Sequence, residues 1–323
     1  MQSIKFLLQR LAAALILVLA VIVLNFLLIH FAPGDPVETL AGAMGGMTEE
    51  LRTQLRHAYG LDQSLLHQLG VYLSHFASGD LGHSYYFNLP VTDLILQRVP
   101  ATLLLVITSL VFSLVVGTLL GVLASRRPNG LLSQAINVIS LVGYAAPVFW
   151  TGIILVILFA SVFPIFPTSG MQAAVQDGGV MAHALDVAHH LVLPALTLGI
   201  IYLAQFSRMA RASMLDVLGS DFVRTARSKG LSETTVFYKH ALRNALLPII
   251  TITGLHFGNL FAGAILVETV FNWPGLGRLA FESILRRDTP TILGILFLSA
   301  CMVVLANQLT DVCYRIADPR IKR

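Results

Sequence analysis

Neutral imidazole ligates transition metals and titrates close to neutral pH. Seven histidines, His57, His67, His75, His83, His183, His189 and His190, are therefore the side chains here with the plainest capacity for chemistry. Their spacing matches no ligand set, and the sequence has no H-E-x-x-H, no G-x-S-x-G and no cysteine cluster. Its two cysteines, Cys301 and Cys313, stand twelve residues apart, roughly 18 Å of rise on one helix, too far to pair with each other. A G-x-x-x-x-G-K-[ST] phosphate loop is missing too, so nucleotide hydrolysis is not expected in this chain. Gly275 and Gly277 make only a fragment of a dinucleotide fingerprint, without the strand that gives that motif its mechanics. Catalytic residues, metal ligands and bound cofactors are all expected to be absent.

The elements around these residues explain why. Of the 323 residues, 56% are hydrophobic and only 12% charged, and the apolar residues come in blocks. Leu11 to Phe31 carries no acidic or basic side chain other than His30, and at ~1.5 Å per residue it is long enough to cross a ~30 Å hydrocarbon layer. Similar runs have cores near 101–125, 135–162, 191–207, 246–270 and 290–312, which predicts six transmembrane helices in an all-α integral membrane protein. The first run is too long for the apolar part of a cleaved signal peptide and closes on His-Phe-Ala-Pro, so it reads as a retained span. With the N-terminus inside, fifteen Lys and Arg fall in inner segments against six in outer ones. That bias places both termini in the cytoplasm and makes the net charge of +4 a consequence of topology, with no nucleic-acid partner implied. The divisions expected are a first span (1–31), an outer segment with short helices (32–98, including an amphipathic stretch 48–59), and a core (99–323) containing a cytoplasmic loop, 208–245. Residues 163–190 are expected to be an outer loop.

Polar residues inside or beside these spans are the candidates to line a path. Such groups face a bundle interior or a wet cavity, because lipid offers them no partners. Asn25, His256, Asn259 and Asn307 are the path candidates, with His256 and Asn259 at i, i+3. Glu268 is expected at the outer interface. Together with Asp311 and His256 it keeps an ion-coupled carrier open as an alternative. Gly117 and Gly121, and Gly254, Gly258 and Ala262, recur at four-residue spacing and predict close helix packing.

The strongest local signal is RTARSKGLSETTVFYKHALRNALLP (224–248). The seven Lys and Arg of 208–243 would cost about 2.5–3.5 kcal/mol each at the centre of a span, so this loop belongs in the cytosol. It is nevertheless built to fold. Gly230 can end one helix in the left-handed conformation, and Ser232 can cap the next with Glu233 at its positive end. Phe222 and Ala226 are expected to pack the first helix, and Phe237, Ala241 and Ala245 the second. Pro248 predicts a kink or rigid entry into the fifth span. Attraction to anionic lipid would explain the charge of the loop but not a glycine-centred turn between two capped helices, which is what a specific protein surface requires.

Residues 221–248, DFVRTARSKGLSETTVFYKHALRNALLP, resemble the EAA-type cytoplasmic loop in permeases of ATP-binding-cassette (ABC) importers of the dipeptide, oligopeptide and nickel group. APGDP (32–36), GDLGHSYYFNLPVTDLILQRVPATL (79–103), ETVFNWPGLGRL (268–279), RRDTP (286–290) and DPRI (318–321) resemble the same group. Arg224 and Thr225 stand where the general pattern has Glu-Ala, and Pro248 lies later than in sugar importers. Both departures fit the peptide and nickel branch. The resemblance implies a type I ABC importer permease fold with a coupling helix that docks on an ATPase through Asp221, Arg224, Thr225, Ala226, Arg227, Lys229, Gly230 and Leu231. It implies a second homologous permease, two ATPase subunits carrying ATP and Mg, and an extracytoplasmic binding protein, all at a bacterial inner membrane. Glu282 and Asp288 are the expected docking positions for that binding protein. Peptide and nickel or metal-chelate cargo both remain open at this stage.

Overall fold

The computed structural model describes residues 2–31, 46, 48–58, 63–84, 86–173 and 179–317. The APGDP and DPRI strings lie outside them, as do the side chains of His57 and Asp311. Helices dominate: α1 (Gln2–Phe31), α2 (Glu49–Ala58), α3 (Leu65–Ala77), α4 (Val91–Arg126), α5 (Leu131–Ala145) and α6 (Val148–Val156) come first. They are followed by α7 (Val180–Leu218), α8 (Asp221–Ser228), α9 (Glu233–Thr235), α10 (Leu242–Val270), α11 (Leu276–Arg286) and α12 (Thr289–Ala317). A two-residue antiparallel ladder, β1 (His83–Ser84) with β2 (Leu89–Pro90), pairs His83 with Pro90 and Ser84 with Leu89.

Among the described residues three helices are long and apolar enough to cross a membrane, or five if each of two bent pairs counts as one span, and α1 contributes the shorter apolar run Ala12–Leu28. The third apolar run does not form a straight rod. It breaks at Ala146-Pro147, where Leu131–Ala145 and Val148–Val162 meet at 106°. Pro147 has no N–H to donate and forces the preceding residue out of the helical region, so the break is written in the sequence. The fourth run is much longer than its apolar core. α7 has 39 residues, about 58 Å at ~1.5 Å each, and takes in Val180–His190, which the sequence reading had assigned to a loop. Continuity comes from AHALDVAHH, whose residues are compatible with a helix even though they are not apolar enough to register as a span. In the fifth span the helix passes through Pro248, and the 48° bend lies between its Glu233–Gly254 and His256–Val270 parts.

The chain divides into two compact units. The first comprises Met1–Val99 with Leu279–Val304. Here the Asn25 amide donates to the Leu293 carbonyl at 3.2 Å and is 1% exposed, tying α1 to the start of α12. An aromatic row, Phe26, Tyr72, Phe76 and Phe297, continues that seam with successive ring centroids 4.6–5.7 Å apart.

The second unit comprises Pro100–Arg278 with Leu305–Arg323. Its core gathers Leu105, Leu193, Leu198, Leu260, Val267, Phe271 and Trp273, all nearly solvent-free. Gly117 and Gly121 let α4 lie against α7, since a Cβ on either would collide with the α7 backbone at Leu203 or Ser207. Glu268, near the end of α10, is 0% exposed and is buried within this unit.

Candidate functional site

The loop between α7 and α10 folds as the sequence predicts in its caps and turn. Gly230 has φ +77°, Lys229 N–H donates to the Thr225 carbonyl at 3.1 Å, and Gly230 N–H to the Arg227 carbonyl at 2.9 Å. α8 therefore ends on a left-handed glycine, as a helix stop requires. Ser232 Oγ accepts from Thr235 N–H at 3.4 Å and opens α9, whose first residue is Glu233. Arg227 Nε and Nη2 reach the two oxygens of Glu233 at 2.8 and 3.3 Å, a fork that bridges the turn.

Packing corrects one side of the prediction. Val223 and Val236 are 0% exposed and Ala226 is 7% exposed, and these three form one apolar cluster with Val217 against it. The face of α8 turned inward is thus Val223 and Ala226, at i, i+3, and Phe222 is 45% exposed. The periodicity was legible, but Phe222 outweighed Val223 by size alone. On the second arm Ala241 and Ala245 are buried with Met214 and Val122, and Phe237 is packed against them, as the stripe predicts. That arm enters the span through one wide π-helical turn, Val236–Ala241. Arg126, the last residue of α4, lies over Phe237 and Tyr238 at 5.7 and 5.5 Å, a contact no spacing rule reveals.

The outcome is a small module with its apolar side anchored and its other side free. Asp221, Phe222, Arg224, Thr225, Arg227, Lys229, Gly230 and Leu231 are all exposed. Five cations stand against two carboxylates over 221–243, with the exposed side chains Phe222, Leu231 and Tyr238 among them. An aromatic anchor inside a charged rim is the composition of a protein-docking surface, and Phe222 is the anchor that the sequence reading missed.

The path candidates separate into two kinds. Asn25 is buried and donates its amide to Leu293, as described. His256 is 5% exposed and packs edge-on to Tyr202 and Phe206, with ring centroids 5.1 and 5.2 Å away. Neither residue lines an open surface of this chain. Asn259 and Asn307 are exposed, both within the second unit. Gly254 packs against Thr310 on α12, which sets the register of these antiparallel helices. Counting outward from that crossing, Asn259 and Asn307 stand within about 3 Å of each other in depth, at ~1.5 Å per residue.

Asp288, expected to dock the binding protein, is 6% exposed; its carboxylate accepts from Ser84 Oγ at 2.5 Å and Thr291 Oγ1 at 2.7 Å. It braces the start of α12 from within, which is where a residue before a helix finds its partners. Glu282 is half-buried on α11. Among the described residues no group of three metal-ligating side chains forms. His190 instead holds Asp186 at 3.2 Å, His189 meets the Ile165 carbonyl, and His75 pairs with Asp80 at 2.8 Å. The Gly82 N–H, and after it His75, hold the Asp80 carboxyl below its ordinary value of 3.8.

Residues 117–323 match the family model described as binding-protein-dependent transport system inner membrane component, and residues 3–106 match the model of its N-terminal part. The dipeptide transport system permease protein DppB of Escherichia coli K12 is 38% identical over 98% of both chains. The di/tripeptide permease protein DppB of Pseudomonas aeruginosa is 39% identical over 98% of each. The oligopeptide permease protein AppB of Bacillus subtilis is 37% identical, covering 98% of this chain and 99% of its own. The methionine ABC transporter MetNI, in an inward-facing form, superposes with a TM-score of 0.55 at 17% identity, over 70% of this chain and 96% of the matched one. An amino acid ABC transporter gives 0.52 at 15% identity, over 70% and 94%. At such identities these two likenesses establish the fold alone, that of a type I ABC importer permease.

Proposed function

The chain belongs to the family of binding-protein-dependent transport system inner membrane components, and from that membership we propose that it forms one half of a membrane pathway for dipeptides and short oligopeptides. A permease of this family is not itself an ATPase, and it works with ATPase and substrate-binding partners at the inner membrane. The exposed face of 221–231, anchored by Val223, Ala226 and Val236, carries the reading. It is a folded, basic, aromatic-tipped surface placed directly at the foot of the fifth span, where a motor subunit can push on a transmembrane helix.

In this reading two ATPases, a second and homologous permease, and a binding protein complete the assembly, with both termini of this chain cytoplasmic. Asn259 and Asn307 face the path. Exposed amides within an apolar span need a polar medium or polar cargo, and an amide offers both a donor and an acceptor to a peptide bond. The activities named for the relatives favour peptide over nickel or metal-chelate cargo.

Proteoliposomes holding this chain, its partner permease and both ATPases, with binding protein added outside, test the proposal. ATP-dependent uptake of labelled dialanine that stops without binding protein is expected. Uptake of Ni2+ but no peptide moves the chain to the chelate branch. Uptake driven by an ion gradient in vesicles holding this chain alone overturns the assignment.

A further inference from the structure

Glu268 closes the fifth span on its outer side, and Gly275, Gly277 and Arg278 of the string ETVFNWPGLGRL come up against its carboxylate. The side chain is 0% exposed. Thr102 Oγ1, on α4, donates to Oε1 at 2.6 Å, and the same hydroxyl accepts from Leu276 N–H at 2.7 Å. Arg278 N–H donates to Oε2 at 3.0 Å. Leu276 and Arg278 are the first and third residues of α11, so the carboxylate and the hydroxyl together satisfy two of the four amides that a helix start leaves open. The negative charge also meets the positive end of that helix.

The turn between is fixed from both sides. Trp273 N–H returns to the Glu268 carbonyl at 2.8 Å, and its indole, 0% exposed, donates to the Ala101 carbonyl at 2.9 Å. A Cβ on Gly275 would fall inside the carboxylate, and one on Gly277 would strike Ile265, so both glycines are required by the approach of the chain to Glu268. A buried carboxylate demands such partners, because removing them leaves a charge with neither water nor donors.

We propose that Glu268 is a positioning residue that locks the outer end of the fifth span to α4 at Thr102 and to the first turn of α11, so that an event on the outer helix reaches the coupling loop at the inner end of the same span. The inference rests on the reading of the chain as a permease driven by ATPases and a binding protein. The segment Glu233 to Val270, bent by 48° between Gly254 and His256, runs from the module at 221–241 to Glu268, whose carboxylate accepts from the start of α11.

The test uses the complete reconstituted transporter with dialanine-loaded binding protein. Glu268→Ala and Thr102→Val are compared with Glu268→Gln, which keeps one acceptor oxygen. Amide exchange at Trp273, Leu276 and Arg278 reads the latch directly. Basal ATPase and its stimulation by loaded binding protein read the consequence. In Glu268→Ala, exchange at these amides is expected to accelerate at least about a hundredfold, basal ATPase to stay within about twofold, and stimulation to fall at least about tenfold. Thr102→Val is expected to follow in the same direction, and Glu268→Gln to fall between. Amides that stay protected in Glu268→Ala overturn the latch. Opened amides with full stimulation, or equal loss of basal and stimulated rates, overturn its role in transmission. A parent complex that loaded binding protein never stimulates instead contradicts the functional reading, while amide exchange still decides the latch.

Discussion

Replacing Gly230 by valine separates two ways in which the loop could grip a motor subunit. Gly230 has φ +77°, and a Cβ built there meets nothing within 4 Å, so the obstacle to a side chain is conformational and not steric. Left-handed backbone costs an L-residue about 1–2 kcal/mol, and a β-branched residue sits there as an outlier, whereas asparagine visits the region routinely. Little in the turn can absorb that cost. The Arg227–Glu233 fork is 43% and 72% exposed, and a solvent-screened pair of this kind contributes roughly 0.2–1 kcal/mol. The native turn should therefore lose about fivefold to thirtyfold in population in Gly230→Val and little in Gly230→Asn. The assay is peptide taken up per ATP hydrolysed in the reconstituted transporter, with insertion checked separately. Gly230→Val is expected to insert normally and to lose most of its coupling, and Gly230→Asn to keep it. Equal coupling in Gly230→Val and the parent refutes the argument. Equal damage in both variants refutes it differently, by showing that bulk at this point, and not the turn, disturbs the partner.

The other predictions concern neighbouring parts of the same machine. Ala226→Asp places a carboxylate between Val223 and Val236 at a cost of about 1–3 kcal/mol, so trypsin should cut at Arg224, Arg227 or Lys229 several times faster, and unchanged cleavage would show the cluster to be dispensable. Asp288→Lys breaks a buried bracket and should lower the melting temperature of the purified chain by several degrees, whereas Glu282→Lys should weaken binding-protein association at low salt. The reverse pattern would restore Asp288 as a docking residue. Asn259→Leu and Asn307→Leu should each raise the apparent KM for dialanine a few-fold without altering basal ATPase. If an N-methylated dipeptide suffers the same loss as dialanine, the amides are not reading the peptide bond.

What could be read in advance follows from how local each signal is. The caps at Gly230 and Ser232 and the stripe Phe237-Ala241-Ala245 depend on neighbours within one or two turns, and they emerged as expected. Phe222 was misplaced on the packed face because its size favours it, whereas the helix turns Val223 inward. The N-terminal extension of α7 was missed for a similar reason: apolar content marks where lipid is, and a helix that leaves the lipid keeps its hydrogen bonds without keeping its hydropathy. Glu268 and Asp288 are different. Both look like surface carboxylates in a string of letters, because their partners, Thr102 at 166 residues' separation and Ser84 at 204, come from elsewhere in the chain. The glycines carried the only advance notice. Two of them within three residues, directly after Trp-Pro, mark a backbone that must pass close to something, and the something is the carboxylate of Glu268. In a membrane protein poor in charge, a glycine pair beside an acidic residue at the end of a span is thus better evidence of an internal lock than of a flexible loop.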